Sequence, residues 1–388
     1  MNVIYLDHIS ANPLHPEVKK AMIEYIETDG FGNPQGQHKI GDRANEILEA
    51  QREKVAALIG AKPEEIVFTS GGTESTNHAI KGVAFALQKK GKHIITSNIE
   101  HQAVSRPLRV LMKMGFHVTS VSVDRYGLVD PEDVKKAIRS DTILITIMHA
   151  NNEIGTIEPI AEIGKIAKER GIVFHTDAVA SCGNIPVNVD ELNVDLLSLS
   201  ANQFYGPSGV GALYIRQKTP IVPILDGGIQ EGGRRAGTHN MIGIVGLGKA
   251  AELAMIEMPQ RMEKLKFLKK EMIKRVLEIE DVTINGHPEQ SLPGLLSCSF
   301  DYIEGESLML LLDEAGICVS TRSACASGSL RASHVLTAIG LDYVRAQGTI
   351  IFSFGRDNTI EDIERTFEAL KKSVNFLREM SPLYKRKK

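Results

Sequence analysis

The sequence has 388 residues, and its 45 Lys and Arg against 48 Asp and Glu give a formal net charge of −3. This near-balance excludes a protein that holds nucleic acid mainly through phosphate contacts, because such a protein needs a basic excess. Four cysteines in so long a chain do not indicate a disulfide scaffold, and there is no apolar run of about 18 residues and no secretory signal. We therefore expect a reduced, cytoplasmic protein of about two domains.

Apolar runs of strand length alternate with helical patterns through the first two thirds of the chain. Thr142 to His149 is nearly continuous apolar, which is typical of a strand buried on both faces. Strands are predicted at 66–69, 93–96, 118–123, 142–149, 171–178, 194–200 and 210–215, with helices at 74–90, 131–138 and 160–170. This alternation favours an α/β fold with a mostly parallel sheet.

The pattern changes at about residue 242. A long helical stretch runs to about 279, and shorter strands (295–300, 317–321, 349–354) and helices (305–315, 360–377) follow it. We predict a large α/β domain over residues 14–255. Residues 1–13 and 256–388 are predicted to form a smaller α+β domain.

A glycine-rich loop, Ser70 to Ser75, lies between a predicted strand and a predicted helix. Glycines allow a tight turn, and free N–H groups at a helix start attract phosphate, although a plain strand-to-helix turn also needs glycine.

Polar clusters end four predicted strands: Glu100-His101, Asn151-Asn152-Glu153, His175-Thr176-Asp177 and Ser200-Ala201-Asn202. Because ligands of open α/β sheets bind at the carboxyl ends of strands, these clusters predict a site for a small polar aromatic or phosphorylated ligand.

Two further loops have a composition typical of binding or catalytic segments. Residues 232–238 form a Gly/Arg/Thr loop, which is either a second phosphate contact or a surface turn. Residues 320–329 place Cys325 among Ser, Ala and Gly, unlike a packed cysteine, and an exposed thiol becomes a nucleophile or metal ligand when nearby cations lower its pKa. Cys182, Cys298 and Cys318 are interpreted as packing residues.

These loops and strand ends carry a resemblance that spans nearly the whole chain. The sequence resembles the IscS/NifS type of pyridoxal 5′-phosphate (PLP) cysteine desulfurases, which have the type I aminotransferase fold. The matching segments are Tyr5-Leu6-Asp7, Phe31 to Pro34, Thr69 to Ser75, Glu100-His101, Met148 to Gly155, His175 to Ala178, Tyr205-Gly206-Pro207, Arg235 to Thr238, Ser323-Ala324-Cys325 and Phe354-Gly355-Arg356.

The resemblance implies a role for each matched residue. In that family PLP forms a Schiff base with a lysine, cysteine displaces the lysine, and the sulfur moves as a persulfide to a loop cysteine, which passes it to a scaffold protein, usually IscU, for iron–sulfur cluster assembly. By position, Asp177 would pair with the pyridine nitrogen and His101 would stack on the ring. Gly72, Thr73 and Ser200 would hold the phosphate, with Thr238 reaching it from the partner subunit of a homodimer. Asn152 would contact the ring oxygen or substrate, Arg356 the substrate carboxylate, and Cys325 would carry the persulfide.

Several positions around the same pocket depart from the family pattern. Where the family has Ser-Gly-His-Lys, this chain has Ser200-Ala201-Asn202-Gln203, so the Schiff-base lysine is Gln203 and the adjacent histidine is Asn202. An amide nitrogen is neither nucleophilic nor basic near neutral pH, so the covalent anchor and the main acid/base group are both missing. A ring-contacting glutamine is replaced by Ala180, the family's Ala-Thr-Thr-Pro is Ser10 to Pro13, and an arginine is replaced by Ile351.

Three functional hypotheses follow. The first is a homologue with little or no desulfurase turnover that serves an IscU-type scaffold through Cys325, as sulfur acceptor or as a thiolate ligand of an iron–sulfur cluster. The second is an active desulfurase that binds PLP non-covalently and converts L-cysteine to alanine and persulfide. The third is a shell of this fold acting on another substrate or as a structural partner, against which the intact Arg356 and Cys325 argue. Whether another lysine, such as Lys39, substitutes is left open.

Overall fold

The computed structural model describes residues 3–321 and 332–385. Its strands are β1 (Ile4–Tyr5), β2 (Ile66–Thr69), β3 (His93–Ser97), β4 (His117–Val121), β5 (Thr142–Thr146), β6 (Val173–Asp177), β7 (Leu196–Ser200), β8 (Gly211–Ile215), β9 (Val282–Asn285), β10 (Leu295–Phe300), β11 (Ile317–Cys318) and β12 (Thr349–Ser353). Its helices are α1 (Pro16–Thr28), α2 (Lys39–Leu58), α3 (Gly72–Leu87), α4 (Gln102–Lys113), α5 (Pro131–Ala137), α6 (Ile160–Arg170), α7 (Met241–Val276), α8 (Gly305–Glu314), α9 (His334–Ala338), α10 (Tyr343–Gln347), α11 (Ile360–Met380) and α12 (Pro382–Lys385).

A seven-stranded sheet in the order β2-β8-β7-β6-β5-β3-β4 forms the centre of the fold. The neighbours from β7 to β4 are all parallel, whereas β8 runs antiparallel to both β7 and β2. Strands buried on both faces need apolar side chains throughout, and β6 and β7 are buried along their whole length. The predicted α/β fold with a mostly parallel sheet is confirmed.

A second, antiparallel sheet has the order β12-β10-β9. The N-terminal strand β1 pairs with β11, and Leu6 packs in the same core as Phe300 and Phe352. The first half of α7 packs on the core of the large sheet through residues such as Leu247, while its second half joins this other core. A single 36-residue helix therefore links the two hydrophobic cores.

Most predicted strands and helices are found within a few residues of their expected positions, but the elements not predicted are β1, β9, α1, α2, α4, α9, α10 and α12. Helix α4 contains Pro107, which interrupts the sequence pattern of a helix interior. Helices α1 and α2 both pack against α7, so tertiary contacts support them. Within the described ranges, no helix has the length and apolarity needed to cross a membrane.

Candidate functional site

A cavity of about 310 Å³ lies at the carboxyl ends of β6 and β7, beside the N-terminus of α3. Asp177 is the last residue of β6 and Ser200 the last of β7, so the sheet itself brings these two side chains to one edge. The lining residues are Ile9, Ser10, Gly72, Thr73, His101, Ala103, Met148, Ala150, Asn152, Asp177, Val179, Ala180, Ser200, Asn202 and Gln203. The strand-end clusters predicted from sequence therefore meet in one cavity.

The N-terminus of α3 is prepared for an anion. Gly71 precedes the helix with φ 143°, and it has no side chain that could cap the first N–H groups of α3. A Cβ at Gly72 would lie 2.4 Å from Cγ2 of Val179, so glycine permits the close approach of the helix to the strand-end loop. Uncapped N–H groups and the positive end of the helix dipole favour a phosphate at this end of the cavity.

Asp177 places a buried carboxyl at the centre of the cavity. Its Oδ1 accepts the N–H of Val179 at 3.0 Å, and no other hydrogen bond to its carboxyl is present within the described residues. Burial raises the pKa of Asp177, while His101 and the Val179 N–H act in the opposite direction. Such a carboxyl is poised to bind a group that brings its own proton or positive charge.

His101 lies at the start of α4 and its ring lines the cavity. The ring Nδ1 accepts the N–H of Ala103 at 3.1 Å, which fixes the imidazole as the cap of α4. In the neutral ring the proton is therefore on Nε2. This bond orients the flat ring, as stacking on an aromatic ligand requires.

The loop after β7 carries Asn202 and Gln203, two of the predicted departures from the family pattern. The Ser200 hydroxyl donates to Asn202 Oδ1 at 2.6 Å, so its proton is engaged and the Asn202 Nδ2 group is left to donate. The Gln203 Nε2 donates to the carbonyl of Ile9 at 3.1 Å, and the side chain is buried. No lysine is among the lining residues that the described chain provides.

Two buried glutamates lie behind the strand ends. Glu100, next to His101, accepts hydrogen bonds from the Ser97 hydroxyl at 2.6 Å and the Met148 N–H at 3.0 Å. Burial raises its pKa to about 8, and burial likewise raises the pKa of Glu158 to about 8. One oxygen of each carboxyl has no hydrogen-bond partner among the described residues, which favours the neutral form of both.

Arg356 and Thr238 do not line the cavity. The Arg356 Nη1 is 4.0 Å from Glu257, and its Nε is 3.3 Å from Asp357. The backbone N–H of Arg356 donates to the Tyr205 hydroxyl at 2.8 Å. The Arg356 Nη1 is buried and has no hydrogen-bond partner among the described residues. The role of Arg356 toward a substrate carboxylate stays a prediction. Thr238 is exposed, and its contact with a partner subunit's phosphate also stays a prediction.

Cys325, predicted as persulfide carrier and cluster ligand, lies outside the described residues. Within residues 3–321 and 332–385 there is no group of three His, Cys, Asp or Glu side chains that could hold a metal ion. Cys182 and Cys298 are buried, and burial raises the pKa of each thiol, that of Cys182 to about 12. The interpretation of these two cysteines as packing residues agrees with their burial.

Sequence reasoning missed the part of the cavity that the N-terminal segment builds. Ile9 and Ser10 line it, and Asn12 reaches the carbonyl of Gln203 with its Nδ2 at 3.0 Å. The departure at Ser10 to Pro13 was noted in the sequence, but its position beside Gln203 was not. Val179 and Met148 were also missed, because apolar residues at strand ends carry no sequence signal for a site.

Comparison with known proteins gives consistent matches over the whole chain. The profile of the aminotransferase class-V family matches residues 4–366. The "Cysteine desulfurase IscS" of Dictyoglomus turgidum is 55% identical over 380 residues, which is 98% of this chain and 96% of that protein. The "Cysteine desulfurase IscS 1" of Archaeoglobus fulgidus is 47% identical over 382 residues, 98% of this chain and 100% of that protein.

Solved structures give the same result. A structure described as a NifS-like protein superposes with a TM-score of 0.91 at 39% identity, over 97% of this chain and 100% of the other. The apo cysteine desulfurase from Thermococcus onnurineus gives a TM-score of 0.87 at 29% identity, over 97% of this chain and 95% of the other.

Proposed function

The chain belongs to the aminotransferase class-V family, among the IscS/NifS-type cysteine desulfurases, and from this we propose that it acts in iron–sulfur cluster assembly with little or no desulfurase turnover of its own. One observation carries the proposal: residue 203 is a glutamine, where the resemblance implies the lysine that forms the family's covalent bond to the cofactor. Its side chain lines the cavity and its Nε2 is bonded to the Ile9 carbonyl.

Pyridoxal 5′-phosphate is the cofactor of this family, and the non-covalent part of the site fits it. The buried Asp177 carboxyl has one oxygen without a hydrogen bond from the described chain, which suits a protonated pyridine nitrogen. The uncapped N-terminus of α3, with Gly72 and Thr73, suits the phosphate. His101 offers an oriented ring face to a flat ligand.

The chemistry that remains is limited by the residues around the ring. When bound, the cofactor supplies an electron sink, which accepts the electrons released as a bond at the α-carbon of an amino acid breaks. Asp177 would hold the pyridine proton, and the phosphate contacts would fix the position of the ring. The Gln203 carboxamide neither takes up nor releases a proton near neutral pH, so the proton transfers that cleavage requires lack their main group. Such a loss typically lowers the rate by about 10²–10⁴-fold.

What the chain retains is the cysteine of the Ser323-Ala324-Cys325 segment. We assign Cys325 the role of a thiol that accepts sulfane sulfur from a persulfide, or of a thiolate ligand to a cluster shared with an IscU-type scaffold. A thiolate suits both roles. We further propose a cytoplasmic homodimer, in which Thr238 approaches the phosphate site of the other subunit.

The decisive experiment is anaerobic cluster assembly on an IscU-type scaffold, with and without the full chain. Cys325→Ala should abolish the chain's effect on the amount of cluster formed, read by visible absorbance. Cys318→Ala is the matched control, because Cys318 is a half-buried cysteine away from the cavity and should leave assembly unchanged. Equal assembly with Cys325→Ala and the unmodified chain would contradict the proposal.

A second candidate is an active desulfurase that uses non-covalently bound PLP. It is favoured by the presence of Asp177, His101 and the α3 N-terminus around one cavity, where they would position the ring. The test is alanine release from L-cysteine in excess PLP, measured against a reaction without protein. Release above that blank by the unmodified chain, lost in Asp177→Asn, would establish this candidate over the first.

A further inference from the structure

A second cavity, of about 450 Å³, lies between helix α4 and the edge strand β4, and we call it the α4–β4 cleft. Ile94 of β3 and its partner Val118 of β4 pack with Leu108 of α4, so this face of the two strands is turned toward the helix. Because side chains alternate along a strand, Thr96 and its partner Ser120, two positions further on, lie on the same face. The sheet therefore forms one wall of the cleft and α4 forms the other.

Helix α4 contributes a row of polar side chains to this cleft. Ser105, Arg106 and Arg109 line it, because positions three and four apart share one face of a helix. Neither arginine has an ion pair or a hydrogen bond within the part of the chain that the structure describes. By contrast, Arg216 and Arg235 elsewhere in the molecule are each paired with a carboxylate. Two guanidinium groups in the cleft are therefore available to a ligand.

No carboxylate in the cleft neutralises these guanidinium groups. Glu100 is the one acidic side chain among the described residues that line it, and its Oε1 already accepts from the Ser97 hydroxyl and the Met148 N–H. Burial raises the pKa of Glu100 to about 8, so the carboxyl is mainly neutral at pH 7. His334, which also lines the cleft, donates its Nε2 proton to the Glu100 carbonyl oxygen at 2.9 Å. The two arginines therefore determine the charge of the cleft.

The wall of the cleft combines apolar surface with an unsatisfied hydroxyl. The Thr96 Oγ1 is buried and has no hydrogen-bond partner among the described residues. Buried polar groups are nearly always paired, so such an atom indicates that a water or a ligand completes the packing there. Leu108, Met112 and Val118 supply the apolar surface. A volume of roughly 300–1,000 Å³ with an apolar lining and a few polar groups is typical of a site for a small molecule.

We propose that the α4–β4 cleft binds a small organic phosphate with a flat apolar part, which is the chemistry of a nucleotide. A phosphate monoester carries about −1.5 to −2 charges at pH 7, which matches the two unpaired guanidinium groups, and guanidinium binds phosphate through paired hydrogen bonds. The apolar wall receives the ring, on which an arginine can also stack. No described residue lines both this cleft and the cofactor cavity, so the two sites are separate.

The test is calorimetric titration of the purified full-length chain with AMP, adenosine and inorganic phosphate separately. AMP should bind at least about tenfold more tightly than either of its parts, because each part makes only some of the contacts. Arg106→Gln and Arg109→Gln should each weaken AMP binding by at least about tenfold, since each removes a charge-assisted hydrogen bond. Arg170→Gln is the matched control, because Arg170 is an exposed arginine at the end of α6 that does not line the cleft.

Three results would overturn the proposal. The first is no binding of AMP by the unmodified chain. The second is an AMP affinity that is the same in Arg106→Gln, Arg109→Gln and the unmodified chain, which would mean that AMP binds elsewhere. The third is equal affinity for AMP and inorganic phosphate, which would leave an oxyanion site without an organic ligand. Both arginines are exposed, so the variants should fold, and circular dichroism checks this. Neither Cys325 nor the cofactor cavity enters the test, so its result stands apart from the proposed function.

Discussion

Glu74 and Arg235 form a two-point ion pair between the first turn of α3 and the loop that carries Thr238. The Arg235 Nε donates to Glu74 Oε1 at 2.7 Å and its Nη2 donates to Oε2 at 3.2 Å. Glu74 also accepts the N–H of Ser70 at 2.7 Å. One carboxylate thus connects the proposed phosphate-binding turn to the loop predicted to reach the other subunit.

Arg235→Lys should weaken the binding of PLP a few-fold with little effect on folding. A lysine ammonium replaces two fixed hydrogen bonds with one adjustable contact, so the turn and the loop are held less firmly. The affinity for PLP, measured by calorimetry, and the thermal midpoint of unfolding check this together. Arg139→Lys, in an ion pair with Asp141 that lies away from the cavity, is the control. An unchanged affinity in Arg235→Lys would show that the pair has no influence on the site.

Glu231→Gln should destabilise the fold by about 3–5 kcal/mol. The Glu231 carboxylate accepts from Arg52 Nη1 at 2.7 Å and Nη2 at 2.9 Å, from His239 Nε2 at 2.7 Å and from the Phe68 N–H at 2.9 Å. The substitution removes the buried counter-charge of the Arg52 guanidinium and leaves it only the more exposed Glu49, which accepts from Nε at 3.0 and 3.1 Å. Chemical denaturation measures the change, and Glu132→Gln, in an exposed pair with Lys135, should cost no more than about 0.5 kcal/mol.

The same carboxylate predicts loss of stability in acid. Burial acts to raise the pKa of Glu231, but hydrogen bonds from His239 and Arg52 outweigh it and hold the pKa at about 2. Because this folded-state pKa lies below the unfolded value, its contribution is present above about pH 4.5 and is lost as the pH falls toward 2. In Glu231→Gln the free energy of unfolding should fall less steeply as the pH decreases in this range. An unchanged dependence on pH would contradict this prediction.

The buried Glu100 carboxyl should make the fold less stable as the pH rises, which is the opposite sign of the effect of Glu231. Burial raises its pKa to about 8, so the folded state holds a proton that the unfolded chain releases near pH 4.5. Its contribution is therefore present below about pH 4.5 and is lost as the pH rises to 8, with a slope of at most about 1.4 kcal/mol per pH unit.

Glu100→Gln mimics the neutral acid and should reduce this slope between pH 5 and 8, measured by denaturation at a series of pH values. Glu158, whose pKa burial also raises to about 8, keeps its own contribution in the variant. Equal slopes for Glu100→Gln and the unmodified chain would show that Glu100 is ionised in the folded protein.

Gln203→Lys should restore a covalent, borohydride-fixable attachment of PLP. A lysine at this position is surrounded by the non-covalent contacts that the chain has kept. After reduction, peptide mass spectrometry should locate the cofactor on residue 203, and the unmodified chain should carry none. Fixation to Lys39 or any other lysine of the unmodified chain would contradict a site without a lysine anchor.

The sequence by itself predicted the parallel sheet, which the structure confirms, and a chemical deficit of the site, which stays a prediction. Strand runs such as Thr142 to His149 are apolar throughout because both faces are buried, and that requirement is local enough to read from the chain. The inability of an amide to form a Schiff base does not depend on its surroundings, so the prediction that Gln203 provides no covalent anchor could be made from the sequence, and it stays a prediction. The polar strand ends could be expected to meet because parallel strands end at one edge.

Only the tertiary structure decided which groups surround Gln203. Gln203 is oriented by Ile9, 194 positions away, and by Asn12 and Asn184, which approach its carbonyl from separate segments. The hydrogen bond from the backbone N–H of Arg356 to the Tyr205 hydroxyl is another such contact, and no local sequence pattern predicts it. Hydrogen bonds between distant segments depend on how the chain packs, whereas the periodicity of a sequence reports only which face of each element is buried.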